Sequence, residues 1–117
     1  MNKRAIGAEK ESVVCQYLMA KGYDILETNY WCRLGEIDII ARQGEYLVFV
    51  EVKYRKDATC GGSRYAIGHN KIRKICNCAR NYICRKGVPL DTPMRFDVVA
   101  IDAEMVYHIE NAFEYIE

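Results

Sequence analysis

Apolar residues near the start of the chain recur with a helical period. Ile6, Val13, Val14, Tyr17 and Leu18 predict an amphipathic helix over residues 6–19, and Gly22 ends it. The next stretch, YDILETNYW at residues 23–31, is rich in β-formers broken by polar positions, as in a strand covered on one side. GEIDIIA and YLVFVEVKY then alternate with a period of two, and the RQGE between them holds a glycine suited to a hairpin turn. Residues 57–68, DATCGGSRYAIG, show no period and predict a loop. Helical spacing returns at Ile72, Ile75, Cys76, Ala79, Tyr82 and Ile83, with Lys71, Arg73, Lys74, Asn77, Arg80 and Asn81 on the remaining positions. GVPLDTP reads as a connector and MRFDVVAI as a strand. MVYHIENAF reads as a final strand reached through a turn at residues 102–104.

This order is helix, three strands, helix, two strands. A strand followed by a helix and another strand needs a crossover, so the expected fold is α/β (α+β), with a mixed central sheet of about five strands flanked by helices. Residues 1–117 suit one domain, and no repeat or linker divides them. The chain is 50% hydrophobic and 11% aromatic with a net charge of +1, which excludes a disordered chain. No window approaches the ~20 apolar residues of a spanning helix, and the opening residues lack the apolar stretch of a secretory signal. No membrane partner and a cytoplasmic location are therefore expected. The six cysteines are expected to be reduced. Cys76, Cys78 and Cys84 have CxC and Cx5C spacings that do not match a zinc site, so free thiols are the reading.

The small net charge conceals an uneven distribution. Residues 53–86 carry ten basic and one acidic side chain, whereas residues 87–117 carry one and seven. A surface built from the middle segment would attract a polyanion, although a solvated helix face would look the same. Arg55, Arg64, Lys71, Lys74 and Arg85 are the candidate phosphate contacts, with Lys71, Lys74 and Arg85 along one edge of the second helix. Such contacts would be insensitive to base sequence. Tyr54, Tyr65 and Tyr82 could stack on bases, with core packing the expected use of Tyr82. His69, at the start of the helix, reads as a surface or capping residue, and His108 as structural.

The hairpin raises the sharpest question, because it places Asp38, Glu51 and Lys53 among residues patterned for burial. If its loop spans Gln43 and Gly44, or residues 42–45, Glu36 faces Glu51 and Asp38 faces Phe49. Asp38, Glu51 and Lys53 then share one side, with Asp38 and Glu51 as diagonal neighbours about 5 to 8 Å apart at Cβ, while Val48, Val50 and Val52 line the other side. A three-residue loop would break this arrangement. Two carboxylates this close repel, and each costs several kcal/mol to desolvate alone. Lys53 or a divalent cation would relieve them, and hard oxygen ligands suit Mg2+ (or Mn2+). A metal with an adjacent ammonium is equipped for phosphodiester hydrolysis. The bland alternative is a cross-strand salt bridge on a solvated face. Glu36 would be an outer ligand or simply a strand cap.

The residues also resemble a known superfamily. Gly7-Ala8-Glu9, Gly22-Tyr23, Thr28-Asn29-Tyr30, the GEIDIIA run at 35–41, FVEVKYR at 49–55, Lys71 and RFDVV at 95–99 resemble the YraN-like family of uncharacterised bacterial proteins, within the PD-(D/E)XK nucleases. The layout is similar to that of archaeal Holliday junction resolvases. The resemblance implies a restriction-endonuclease-like core of order αβββαβ, here with an extra C-terminal strand. It implies that Asp38 and Glu51 bind the metal, that Lys53 is the catalytic lysine, and that Glu9 reaches the site from helix one. Glu9 stands at helical spacing from Val13 and Tyr17, yet would also serve as a favourable first-turn acid. The expected activity is a metal-dependent endonuclease acting on branched or structured nucleic acid, DNA ahead of RNA, and the resemblance allows a homodimer. A catalytically silent nucleic-acid-binding module is the alternative, and an adaptor docking through its acidic C-terminal third is a weaker one. The loop CGGSRYAIGHNK departs from the family's usual Phe-Gly segment, which bears on substrate contacts.

Overall fold

The computed structural model describes residues 3–55, 67–102 and 105–116, with residues 3–8, 55 and 102 as backbone alone. Helix α1 (Lys3–Ala20) leads into strands β1 (Asp24–Cys32), β2 (Gly35–Gln43) and β3 (Tyr46–Arg55). Helix α2 (His69–Lys86) then crosses over to β4 (Met94–Asp102) and β5 (Met105–Ile109). The five strands form one mixed sheet in the order β1-β2-β3-β4-β5. The β3–β4 pair is parallel and the other three pairs are antiparallel. The mixed sheet expected from the order of elements is therefore present. Most of the expected loop at 57–68 lies outside the described residues.

Each face of the sheet packs under one helix, because β3 alternates. Leu47 and Phe49 join the core under α2, with Tyr30, Ile40, Ile75, Cys76, Ala79, Tyr82 and Phe96. Val48 and Val50 join the core under α1, with Val14, Leu18, Tyr23, Val99 and Ile101. A strand buried on both faces reads as a continuous apolar run, which is why VFV precedes Glu51. Tyr82 lies edge-on to Tyr30 and Phe49 at 5.2 and 6.2 Å between ring centroids, a core role.

Three expectations need correction. The hairpin turn is Gly44–Glu45, since Gln43 pairs with Tyr46 and Ile39 with Val50. Gly44 has φ 58°, the positive value a two-residue hairpin turn demands. The register is thus displaced by two residues from the expected one. An even displacement keeps the face assignments within the paired stretch, which ends at Ile39–Val50, one residue short of Asp38 and Glu51. Second, the buried stripe of α1 runs through Val14 and Leu18, both fully buried, while Val13 is 45% exposed. Third, β5 stops at Ile109. Asn111 takes φ 53°, Ala112 N donates to Phe96 O at 2.7 Å, and Phe113 stacks on Phe96. The predicted end of that strand instead folds back over the α2 side of the sheet.

Candidate active site

The site begins where β2 parts from β3. Ile37 packs in the core under α2 and Ile39 in the core under α1, although residues two apart on a regular strand share a face. The alternation therefore resets at Asp38. Across the β1–β2 ladder, the residue between the pairs Thr28–Ile39 and Tyr30–Ile37 is Asn29, which has φ 52°. Asn and Asp tolerate this left-handed conformation better than other non-glycine residues. The regular β2–β3 ladder ends at Ile39–Val50. Asp38 Oδ2 accepts the backbone N–H of Val52 at 2.8 Å, so a carboxylate takes up a donor left by the departing strand.

Glu51 completes the pair. Its carboxyl group hydrogen-bonds the Asp38 carboxylate, and the Lys71 ammonium lies 3.5 Å from Glu51 Oε2. Burial, then the hydrogen bond and repulsion from Asp38, push the Glu51 carboxyl up to about 8 despite the opposing influence of Lys71. At neutral pH the Glu51 carboxyl therefore keeps its proton. Lys53 lies on the same side of β3, and Glu51, Val52, Lys53, Ile67, Gly68 and Lys71 line a cleft of about 290 Å³. Gly68 precedes α2 without a side-chain cap, so the start of a helix of 18 residues forms part of the cleft wall. Uncapped first-turn N–H groups and the helix dipole favour an anion there.

The acid contributed by α1 is Glu11. Glu9, the residue expected to reach inward, is exposed. Burial pushes the Glu11 carboxyl up, repulsion from Asp38 and Glu36 adds to this, and a hydrogen bond from Asn29 opposes it. Glu11 Oε1 is buried without a hydrogen-bond partner among the described residues. The reason is helical phase: 11, 14, 15 and 18 follow the i, i+3, i+4, i+7 spacing of the buried stripe. Anchoring the stripe on Val14 and Leu18 instead of Val13 would have identified Glu11 from sequence. Glu36 is exposed and acts on Glu11 only through its charge.

Among the described residues, no three acid, histidine or cysteine side chains are grouped so as to hold an ion. The donor set is the pair Asp38 and Glu51, with the orphaned oxygen of Glu11 nearby. Mg2+ suits such a set, since it commonly takes one or two carboxylates and keeps waters for its other positions. Of the candidate phosphate contacts, Lys71 stands at the cleft, and Lys74 and Arg85 are exposed on the same edge of α2. The Arg55 side chain, Arg64 and Tyr65 lie outside the described residues. Tyr54 is 42% exposed, and the Lys10 ammonium lies 4.6 Å from its ring centroid. His69 is exposed and touches only Arg73 among the described residues.

A second buried acid lies one register step away on the other face of the sheet, since Val50 pairs with Asp97 and Glu51 with Val98. Asp97 is fully buried. It accepts Arg95 Nε at 2.8 Å and Arg95 Nη2 at 2.9 Å, Asn111 N at 3.0 Å, and His108 Nε2 at 2.7 Å. His108 Nδ1 lies 3.2 Å from the Lys21 ammonium, which can only donate, so the ring hydrogen sits on Nε2. Burial works to raise the Asp97 carboxyl, but these donors hold it below the usual carboxylate range. His108 is structural, as expected.

A family model described as "Uncharacterised protein family UPF0102" matches residues 10–101. A UPF0102 protein of Lachnoclostridium phytofermentans is 49% identical to the chain, with 97% of each covered. Proteins of the same description from Geobacter sulfurreducens and Thermodesulfovibrio yellowstonii are 42% and 40% identical, covering 97% of this chain and 91% and 99% of their own. No helix among the described residues is long and apolar enough to cross a membrane.

Proposed function

Because the chain belongs to the UPF0102 family, whose description carries no activity, we propose its function from its own site: a metal-dependent nuclease that hydrolyses phosphodiester bonds of branched or structured DNA without strong sequence preference. The observation that carries this reading is Glu51, hydrogen-bonded to Asp38 and lining a cleft beside Lys53 and Lys71. A structural acid is held ionised by its donors, whereas burial and the neighbouring carboxylate keep Glu51 protonated in spite of Lys71. Asp38 and Glu51 would hold Mg2+ (or Mn2+), with Glu11 as the additional donor from α1. Bound there, the cation would lower the pKa of water and offset charge building on the phosphoryl oxygens. Lys53 orients the attacking water or stabilises the charge on the phosphoryl oxygens, and Lys71 exchanges Glu51 for a substrate phosphate. Lys74 and Arg85 extend the cationic edge along the backbone of the substrate.

The test is cleavage of a panel of forks, flaps, junctions and blunt duplexes with Mg2+ or Mn2+, against the same reactions in EDTA. Asp38→Ala and Lys53→Ala are each expected to lower the rate on the order of a hundredfold or more. Equal cutting by wild type and variants would dismiss the reading. Salt-sensitive DNA binding with no cutting by any preparation would leave a silent binding module.

A further inference from the structure

Resting on the nuclease reading, and deepening it, we propose that the tip of the β1–β2 hairpin is a base-stacking lip that receives an unpaired nucleotide next to the acid pair. Trp31 is 68% exposed and Leu34 56% exposed, with the exposed Arg33 between them in sequence. Large apolar side chains bared together on a turn are unusual unless they meet a partner. The tip is also firmly held. A Cβ at Gly35 would come within 2.9 Å of the Lys74 carbonyl oxygen, so the two backbones meet in a close approach only glycine allows. Cys78 Sγ lies 3.6 Å from Gly35 O, and Leu34 N donates to Cys32 Sγ at 3.3 Å. The hairpin base is thus fastened to α2 while its apolar tip stays bare.

Its position relative to the acids follows from the register. Trp31 pairs with Glu36 and shares its face, and Asp38 lies two residues further along β2, a strand rise of about 7 Å. Glu36 and Asp38 both act on Glu11, which puts Trp31 on the flank of the same acid cluster. No ring contact or hydrogen bond engages the indole among the described residues. The occupant that suits an aromatic plate, an apolar knob and the adjacent cation Arg33 on the same turn is a nucleobase with its phosphate. Aromatic plates accept any base, and apolar wedges hold open unstacked steps. A fully paired duplex offers no base to the plate, so the lip favours forks and flaps over blunt ends.

Trp31 is the single tryptophan of the chain, so its fluorescence reports this position alone. The experiment titrates the full chain in EDTA, where cleavage is suppressed, with an oligo-dT strand, a forked duplex and a blunt duplex, and follows indole emission alongside binding anisotropy. Quenching by oligo-dT and the fork but not by the blunt duplex is expected. Trp31→Ala should weaken fork binding on the order of tenfold to a hundredfold, and Trp31→Phe should restore most of it. Binding without quenching, or equal quenching by the blunt duplex, overturns the lip. So does a loss of self-association in Trp31→Ala with no change in nucleotide binding, which would mark the tip as a contact between copies. Because the titration needs no metal, quenching without cleavage would sink the nuclease reading and leave the lip standing; cleavage without quenching would do the reverse.

Discussion

Asp97 and Glu51 lie on neighbouring strands of one sheet, one register step apart, and are opposites electrostatically. Asp97 collects donors from Arg95, His108 and the Asn111 backbone, and its carboxyl is held ionised. Glu51 has a second carboxyl, that of Asp38, as a hydrogen-bond partner and the Lys71 ammonium at 3.5 Å, and its carboxyl is pushed up to about 8. Burial alone therefore does not mark a functional acid. What separates the two is whether the fold supplies enough donors to balance the charge. At Asp97 it does, and the result is a clamp joining β4, β5 and the end of α1. At Glu51 burial and the Asp38 carboxylate outweigh Lys71, and the carboxyl is driven toward its neutral form.

This comparison can be broken in several ways. The largest expected effect is on Asp97→Ala, which strands Arg95 and His108 and should cost about 3 to 5 kcal/mol in urea unfolding. A loss below about 1 kcal/mol would mean the clamp is not a clamp. Glu51→Gln should act in the opposite direction. Removing a like charge should hold stability or raise it by about 0.5 to 2 kcal/mol at pH 8, while the calorimetric signal for Mg2+ disappears. A destabilised Glu51→Gln protein would show that the pair is structural after all.

The pH dependence sharpens the contrast further. The Glu51 carboxyl is raised from 4.5 to about 8, so the folded chain holds a proton that the unfolded chain releases in that interval. Its stabilising contribution is complete below about 4.5 and is lost as pH rises through about 8. Asp97 has the reverse sign: its contribution is present above its ordinary value near 3.8 and is lost as acid protonates it in the fold. Metal must displace the Glu51 proton, so Mg2+ affinity measured by calorimetry should climb by about tenfold per pH unit and level off above about 8. A flat profile would contradict a protonated Glu51. The smallest effect is expected for Lys74→Ala, with stability within about 0.5 kcal/mol of wild type and a salt slope of DNA binding lower by about one.

Much of this site is legible in the sequence because the hairpin is local. Alternation puts Glu51 and Lys53 on one side of β3, and an error of two residues in the turn leaves that result intact, since strand faces repeat every two residues. What resisted reading depends on contacts between distant segments. The phase of α1 is set by how it lies on the sheet, so Val13 looks as apolar as Val14, and Glu9 as plausible as Glu11, until the packing is known. The shift of face at Asp38 needs Asn29 on the neighbouring strand. The Asp97 clamp joins Tyr23, Arg95, His108 and Asn111, a set with no local pattern.

The parallel pairing of β3 with β4 carries a consequence for how the chain reaches this state. β3 meets β2 across a two-residue turn, but β4 only after the chain has passed through α2. Until that slow, long-range step is complete, the run LVFV lies along an open sheet edge of the kind that templates aggregation. Glu51, which follows it, interrupts the apolar run and repels a second copy of the same edge. The residue that makes the finished sheet electrostatically uncomfortable thus acts as a gatekeeper while it is half built.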